Sequence, residues 1–63
     1  MLTVTLYTDG IVSVSDHYGE LYANSKEDSL DLLEWFTGVR SENVFENSSV
    51  FNNDGELVRL VKE

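Results

Sequence analysis

The chain opens in strict alternation: Leu2, Val4 and Leu6 fall on one side and Thr3, Thr5 and Tyr7 on the other, the period of a strand with one buried face. Thr8-Asp9-Gly10 interrupts it with turn residues, Gly10 being free to take positive φ, and Ile11-Val12-Ser13-Val14-Ser15 resumes the pattern. A hairpin is predicted. Asp16-His17-Tyr18-Gly19 reads as a second turn and Glu20-Leu21-Tyr22-Ala23 as a short third strand. The period then changes. In EDSLDLLEWF, residues 27–36, apolar positions recur at helical spacing. Ser25 is placed to cap this helix, with Asp28 three positions on as in a capping box, and Glu27 and Asp28 suit its positive end. Gly38 is placed to close it in a left-handed conformation.

Residues 39–43 read as a connection, Val44-Phe45 as a short β-like piece, and Asn47-Ser48 as a polar interruption. A second hairpin follows, Ser49 to Asn52 and Glu56 to Val61 around Asn53-Asp54-Gly55, whose Asp-Gly pair signals a two-residue turn. The order β-β-β-α-β-β predicts an α+β fold: a small antiparallel sheet of four or five strands in hairpins packed against one α-helix, as a single domain over residues 1–63. The last strand is apolar at Leu57, Val58, Leu60 and Val61, with only Arg59 between the pairs. That suits a central strand or a dimer seam better than a solvated edge. LYTDGIVSV and FNNDGELVRL both set Asp-Gly between extended runs, which ordinary hairpin chemistry explains without an internal duplication.

Composition narrows the possibilities. A chain of 63 residues buries only about 60% of the surface it exposes when unfolded, so its core is thin. It has no cysteine and a single histidine, His17, which leaves neither disulfides nor a histidine pair for zinc. Packing, or a second copy of the chain in a homodimer, must supply the stability. With 12 acidic residues against 4 basic ones the net charge is −8, which repels phosphate backbones and anionic membranes; direct nucleic-acid or membrane binding is disfavoured. The chain is 41% apolar and 11% aromatic, unlike the depleted composition of disordered chains. No basic segment precedes a long apolar run and no stretch reaches a membrane-spanning length, so a cytoplasmic location is expected. Asn47-Ser48-Ser49 matches a glycosylation pattern, read here as chance in a polar loop.

No motif for chemistry emerges. With Gly55 at the sixth place of a calcium loop, Val50 and Val61 fall where chelating carboxylates are required; with Gly10 there, Tyr7 takes a ligand position. His17 lies in a turn with no pocket to position a substrate. The basic residues Lys26, Arg40, Arg59 and Lys62 are scattered. A non-enzymatic protein without metal or cofactor is expected.

What remains is one face of the helix. Projected at about 100° per residue, Leu30, Leu32, Leu33 and Phe36 form the core stripe, while Glu27, Asp28, Asp31 and Glu34 gather on the other side with Trp35 among them. Two placements account for the only tryptophan. It either folds its ring over Leu32 and the sheet margin, or stands exposed as an anchor within an acidic patch that grips a basic partner. The acids repel one another, Glu27 with Asp31 and Asp31 with Glu34, by about a few tenths of a kcal/mol per pair. Lys26 is the only cation in the helix, so a cationic partner would relieve them.

Small size, the absence of cysteine, the acidic helix around EDSLDLLEW and the hairpin-plus-helix order resemble the small acidic inhibitor proteins encoded by bacteriophages. Among these are nucleic-acid mimics that block DNA glycosylases, restriction or CRISPR effectors (the anti-CRISPR proteins) and RNA polymerase. The resemblance is to a class and carries no family motif. It implies a protein-binding inhibitor or modulator whose acidic face, Glu27, Asp28, Asp31, Glu34 and Trp35, engages a basic, nucleic-acid-handling partner. The alternative is a small homodimeric assembly module whose acidity serves solubility.

Overall fold

In the computed structural model, which describes residues 2–63, the alternating opening forms β1 (Leu2–Leu6), followed by β2 (Val12–Ser15) and β3 (Glu20–Tyr22). Helix α1 (Lys26–Thr37) and a 3-10 helix over Glu42–Glu46 come next, then the hairpin of β4 (Ser49–Phe51) and β5 (Leu57–Lys62). The strands form one sheet in the order β3-β2-β1-β5-β4. The hairpin pairs are antiparallel, but β5 runs parallel to β1, with Leu2 beside Val58 and Val4 beside Leu60. The α+β class and the element order follow the sequence; the sheet itself is mixed, because the return from β1 to β5 is a crossover rather than a hairpin.

The crossover carries α1 and the 3-10 helix over one face of the sheet. Val4 and Leu6 of β1, Val12 and Val14 of β2, and Val58 and Leu60 of β5 meet Leu33, Val44 and Phe45 there in one core, with Leu2, Phe36 and Val50 at its margin. Strand β5 is paired on both sides, to β1 and to β4, so it is the interior strand that its apolar run predicted and its edge cannot form a dimer seam. Among the described residues no helix is long and apolar enough to cross a membrane.

Three local expectations are corrected. Val44-Phe45 is not strand: the Ser41 hydroxyl accepts the Asn43 N–H at 3.3 Å and starts the 3-10 turn, which lets two consecutive residues both be buried. A strand, with its alternating sides, would turn one of the two apolar side chains away from the helix-covered face. The Asp54-Gly55 turn is not a two-residue loop either. The Gly55 N–H donates to Asn52 O and the Asn52 N–H to Glu56 O, both at 3.0 Å, and Tyr7, Gly10 and Ile11 repeat the pattern at 2.9 Å. Among the described residues only glycines take positive φ, Gly10 at 86° and Gly55 at 78° in these turns, whereas a type I′ turn needs two such residues in succession; both loops therefore have three residues closed by a left-handed glycine.

The helix stripe differs as well. Leu33 is 1% exposed, but Leu30, Leu32 and Phe36 are half-buried, and the other buried positions are Ser29 and Thr37. Helix α1 packs chiefly on β2, and small hydroxyl residues along that line allow a close approach. Their polarity is satisfied locally. Thr37 Oγ1 donates to Leu33 O at 2.6 Å; Ser29 Oγ donates to Ser25 O at 2.8 Å and accepts the Val12 N–H at 3.1 Å.

Candidate functional site

The ends of α1 fix which side chains it presents. Ser25 Oγ accepts the Asp28 N–H at 3.1 Å, half of the expected capping box, and Gly38, at φ 77°, closes the last turn with its N–H on Glu34 O. Between these caps Glu27, Asp28, Asp31, Glu34 and Trp35 are all exposed. Trp35 is 79% exposed, so its ring does not cover the margin of the core, and the lid placement fails. Leu33 and the two hydroxyl residues already fill the contact of the helix with β2.

Two hollows meet at Trp35. One, of about 720 Å³, lies between the end of α1 and the β4–β5 turn and is lined by Asp31, Glu34, Gly38, Asn52, Asn53 and Asp54. The other, of about 410 Å³, lies between α1 and β3, where Leu21, Ala23 and Leu32 supply apolar surface and Asp28 and Asp31 the rim. Glu27 lines neither. Asp54 and Leu21 were absent from the sequence-derived face because each reaches it through the sheet. The only sequence signal for Asp54 was its place in a turn.

The acids are not left to Lys26. Arg40, beyond the end of α1, pairs with Asp31 and lies 3.8 Å from Glu34; its hydrogen bond to Asp31, and then the surrounding carboxylates, hold the guanidinium above its ordinary ionisation range. Lys26 instead lays its stem beside Gly10. The patch is thus divided: Asp31 and Glu34 share a cation, while Glu27 and Asp28 have no ion-pair partner among the described residues.

Among the described residues no helix lies over the other face of the sheet. Tyr7 and Tyr22 stack there with ring centroids 5.9 Å apart, Ser13 Oγ lies 3.5 Å from the Tyr7 hydroxyl, and Tyr7 donates to Glu20 Oε1 at 3.4 Å. Hydrogen bonding to Glu20, then to Tyr7, holds the Tyr22 phenol above its ordinary value, since only the protonated phenol can donate and its ionisation would set two anions together. His17 sits in the exposed β2–β3 turn, its ring 4.0 Å from that of Tyr18, while Asp16 Oδ1 accepts the N–H groups of Tyr18 and Gly19.

Fold and face together define a small α+β domain that presents an acidic helix with one exposed tryptophan. No protein-family model matches the chain, and comparison with curated proteins and with solved structures finds no match.

Proposed function

We propose that this protein is a non-enzymatic inhibitor or modulator that binds a basic, nucleic-acid-handling protein in the cytoplasm through Glu27, Asp28, Asp31, Glu34 and Trp35, its carboxylates standing in for a polyanion. The observation that carries the reading is the 79% exposure of Trp35 at the junction of two acid-rimmed hollows. Tryptophan is among the residues most enriched at binding hot spots, and complementary charge speeds and orients the encounter. The immobilised protein should capture its partner from a lysate, and added duplex DNA or RNA should displace that partner. Asp31→Lys with Glu34→Lys should abolish capture with the circular dichroism spectrum unchanged; capture that survives both substitutions at physiological salt defeats the proposal.

The alternative is a homodimeric module, with acidity serving solubility. One observation favours it: Phe51, 71% exposed, and Leu57 stand out from a sheet that has no helix on that side. A melting temperature that rises with protein concentration and stops doing so in Phe51→Ser would support that reading; concentration-independent melting would remove it.

A further inference from the structure

We infer that the outer edge of β3, with the groove between β3 and α1, takes an extended segment of the partner as a sixth strand; this rests on the acidic-face reading above and specifies what that face grips. Strand β3 ends the sheet. The Asp16 N–H donates to Gly19 O and the Ala23 N–H to Val12 O, both at 3.0 Å, so alternate residues of this segment, Gly19, Leu21 and Ala23, turn their backbone groups toward β2. Glu20 and Tyr22 lie between them, and their N–H and C=O groups point outward, away from the sheet. An antiparallel neighbour would meet a ready set of donors and acceptors there.

The side chains beside that edge are also left uncovered. Leu21 shares the core face with its cross-strand neighbour Val14, yet Val14 is 6% exposed and Leu21 56%, because α1 covers β2 and stops short of β3. The groove of about 410 Å³ fills the difference, with Leu21, Leu32 and Trp35 as its apolar wall. Every second side chain of an added strand would enter it. The intervening side chains would fall on the other face of the sheet, beside Tyr22 and Glu20.

Charge selects the occupant. Asp28 and Asp31 rim the groove and Glu20 marks the opposite face, so two copies of this chain paired edge to edge would crowd carboxylates together. A segment alternating apolar with lysine or arginine residues matches both faces at once: apolar side chains on Leu21 and Trp35, cations at Glu20 and along the rim. Main-chain pairing supplies affinity in such complexes and the alternating side chains supply specificity.

A synthetic peptide of alternating valine and lysine is the probe, with two readouts: Trp35 emission, and hydrogen exchange at the Glu20 and Tyr22 amides. Binding should slow exchange at those two amides by roughly tenfold or more, and N-methylation of the peptide at alternate residues, which removes its pairing N–H groups, should weaken binding by roughly tenfold or more. In the protein, Glu20→Pro deletes an outward N–H that the sheet does not use, a position where an edge strand tolerates proline; it should bind at least about tenfold more weakly than the charge control Glu20→Gln. Should Glu20→Pro not fold, the methylated peptide makes the same test from the other side. Equal binding by both peptides, with Glu20 and Tyr22 unprotected, overturns the strand while Trp35 and the acids keep their role. Absence of peptide binding also overturns it, and the charge-reversal capture then judges the acidic face separately.

Discussion

Ser29→Ala isolates a contact that joins the start of α1 to the sheet. Where β3 gives way to the helix, Val12 O still accepts the Ala23 N–H, but the Val12 N–H donates to Ser29 Oγ at 3.1 Å; Val12 is 2% exposed and Ser29 is equally buried. Removing the hydroxyl leaves a buried donor unpaired, at a cost of about 1–3 kcal/mol. Alanine returns about 0.5 kcal/mol through its higher helix propensity. The net loss is about 0.5–2.5 kcal/mol, and since each kcal/mol moves the midpoint of so small a domain by about 4–8 °C, melting should fall by roughly 2–20 °C. Thermal unfolding by circular dichroism measures it, and exchange at the Val12 amide assigns it. Ser25→Ala is the control, because it removes a cap worth about 1 kcal/mol without touching that amide. A Ser29→Ala midpoint within about 2 °C of the parent, with Val12 exchanging as slowly as before, would refute the reasoning.

Leu33→Ala empties the centre of the core, and about 2–5 kcal/mol should be lost in urea denaturation; against a total of roughly 3–9 kcal/mol for a chain of this length, part of the population should be unfolded before denaturant is added. Trp35→Ala should change stability by no more than about 0.5 kcal/mol, and in the parent protein acrylamide should quench the indole nearly as well as in the unfolded chain. Arg40→Gln removes the cation shared by Asp31 and Glu34, so capture of the basic partner should strengthen and become more salt-sensitive; weaker capture would make Arg40 part of the contact. The Tyr22 phenol is held protonated by Glu20 and Tyr7, so its contribution to stability is present below the unfolded tyrosine value and is lost as pH rises through the higher folded one. Ultraviolet titration should show the Tyr22 phenol ionising above the ordinary tyrosine value, and Glu20→Gln should lower it.

Much of this fold is written in local patterns. The alternation of β1 and β2 places Val4, Leu6, Val12 and Val14 on one face, and all of them are buried; in β5, apolar on both sides in sequence, Val58 and Leu60 are the core positions. Ser25 and Gly38 bound the helix within a residue of where their chemistry puts them. What stayed hidden is non-local or too short to have a period. Val44-Phe45 is a two-residue apolar run, which fits a strand or a helical turn equally until the sheet beneath demands that both be buried. The parallel pairing of β1 with β5 joins opposite ends of the chain, and no turn signal marks such a pair. The candidate site divides the same way. Its acids and Trp35 share one helix and were legible; Arg40, Asp54 and Leu21 come from three other segments and were not.

The placement of Trp35 bears on function through its energetics. An indole buries roughly 150–250 Å² when packed, which at about 25 cal/mol per Å² approaches 4–6 kcal/mol. That is comparable with the roughly 3–9 kcal/mol that holds a domain of this size together. A fold with so thin a core has more to gain than most from covering such a ring, and the means are close by, since Leu21 and Leu32 line the hollow beside it. Instead, α1 stops short of β3, and the apolar surface stays open along a strand edge whose backbone is unpaired. The exposed ring, the uncovered leucine and the free edge lie together, and one extended segment would satisfy all three at once. Burial on a partner, as proposed, would account for the position of the tryptophan; acidity that serves only solubility would account for the carboxylates around it but leave the ring unexplained.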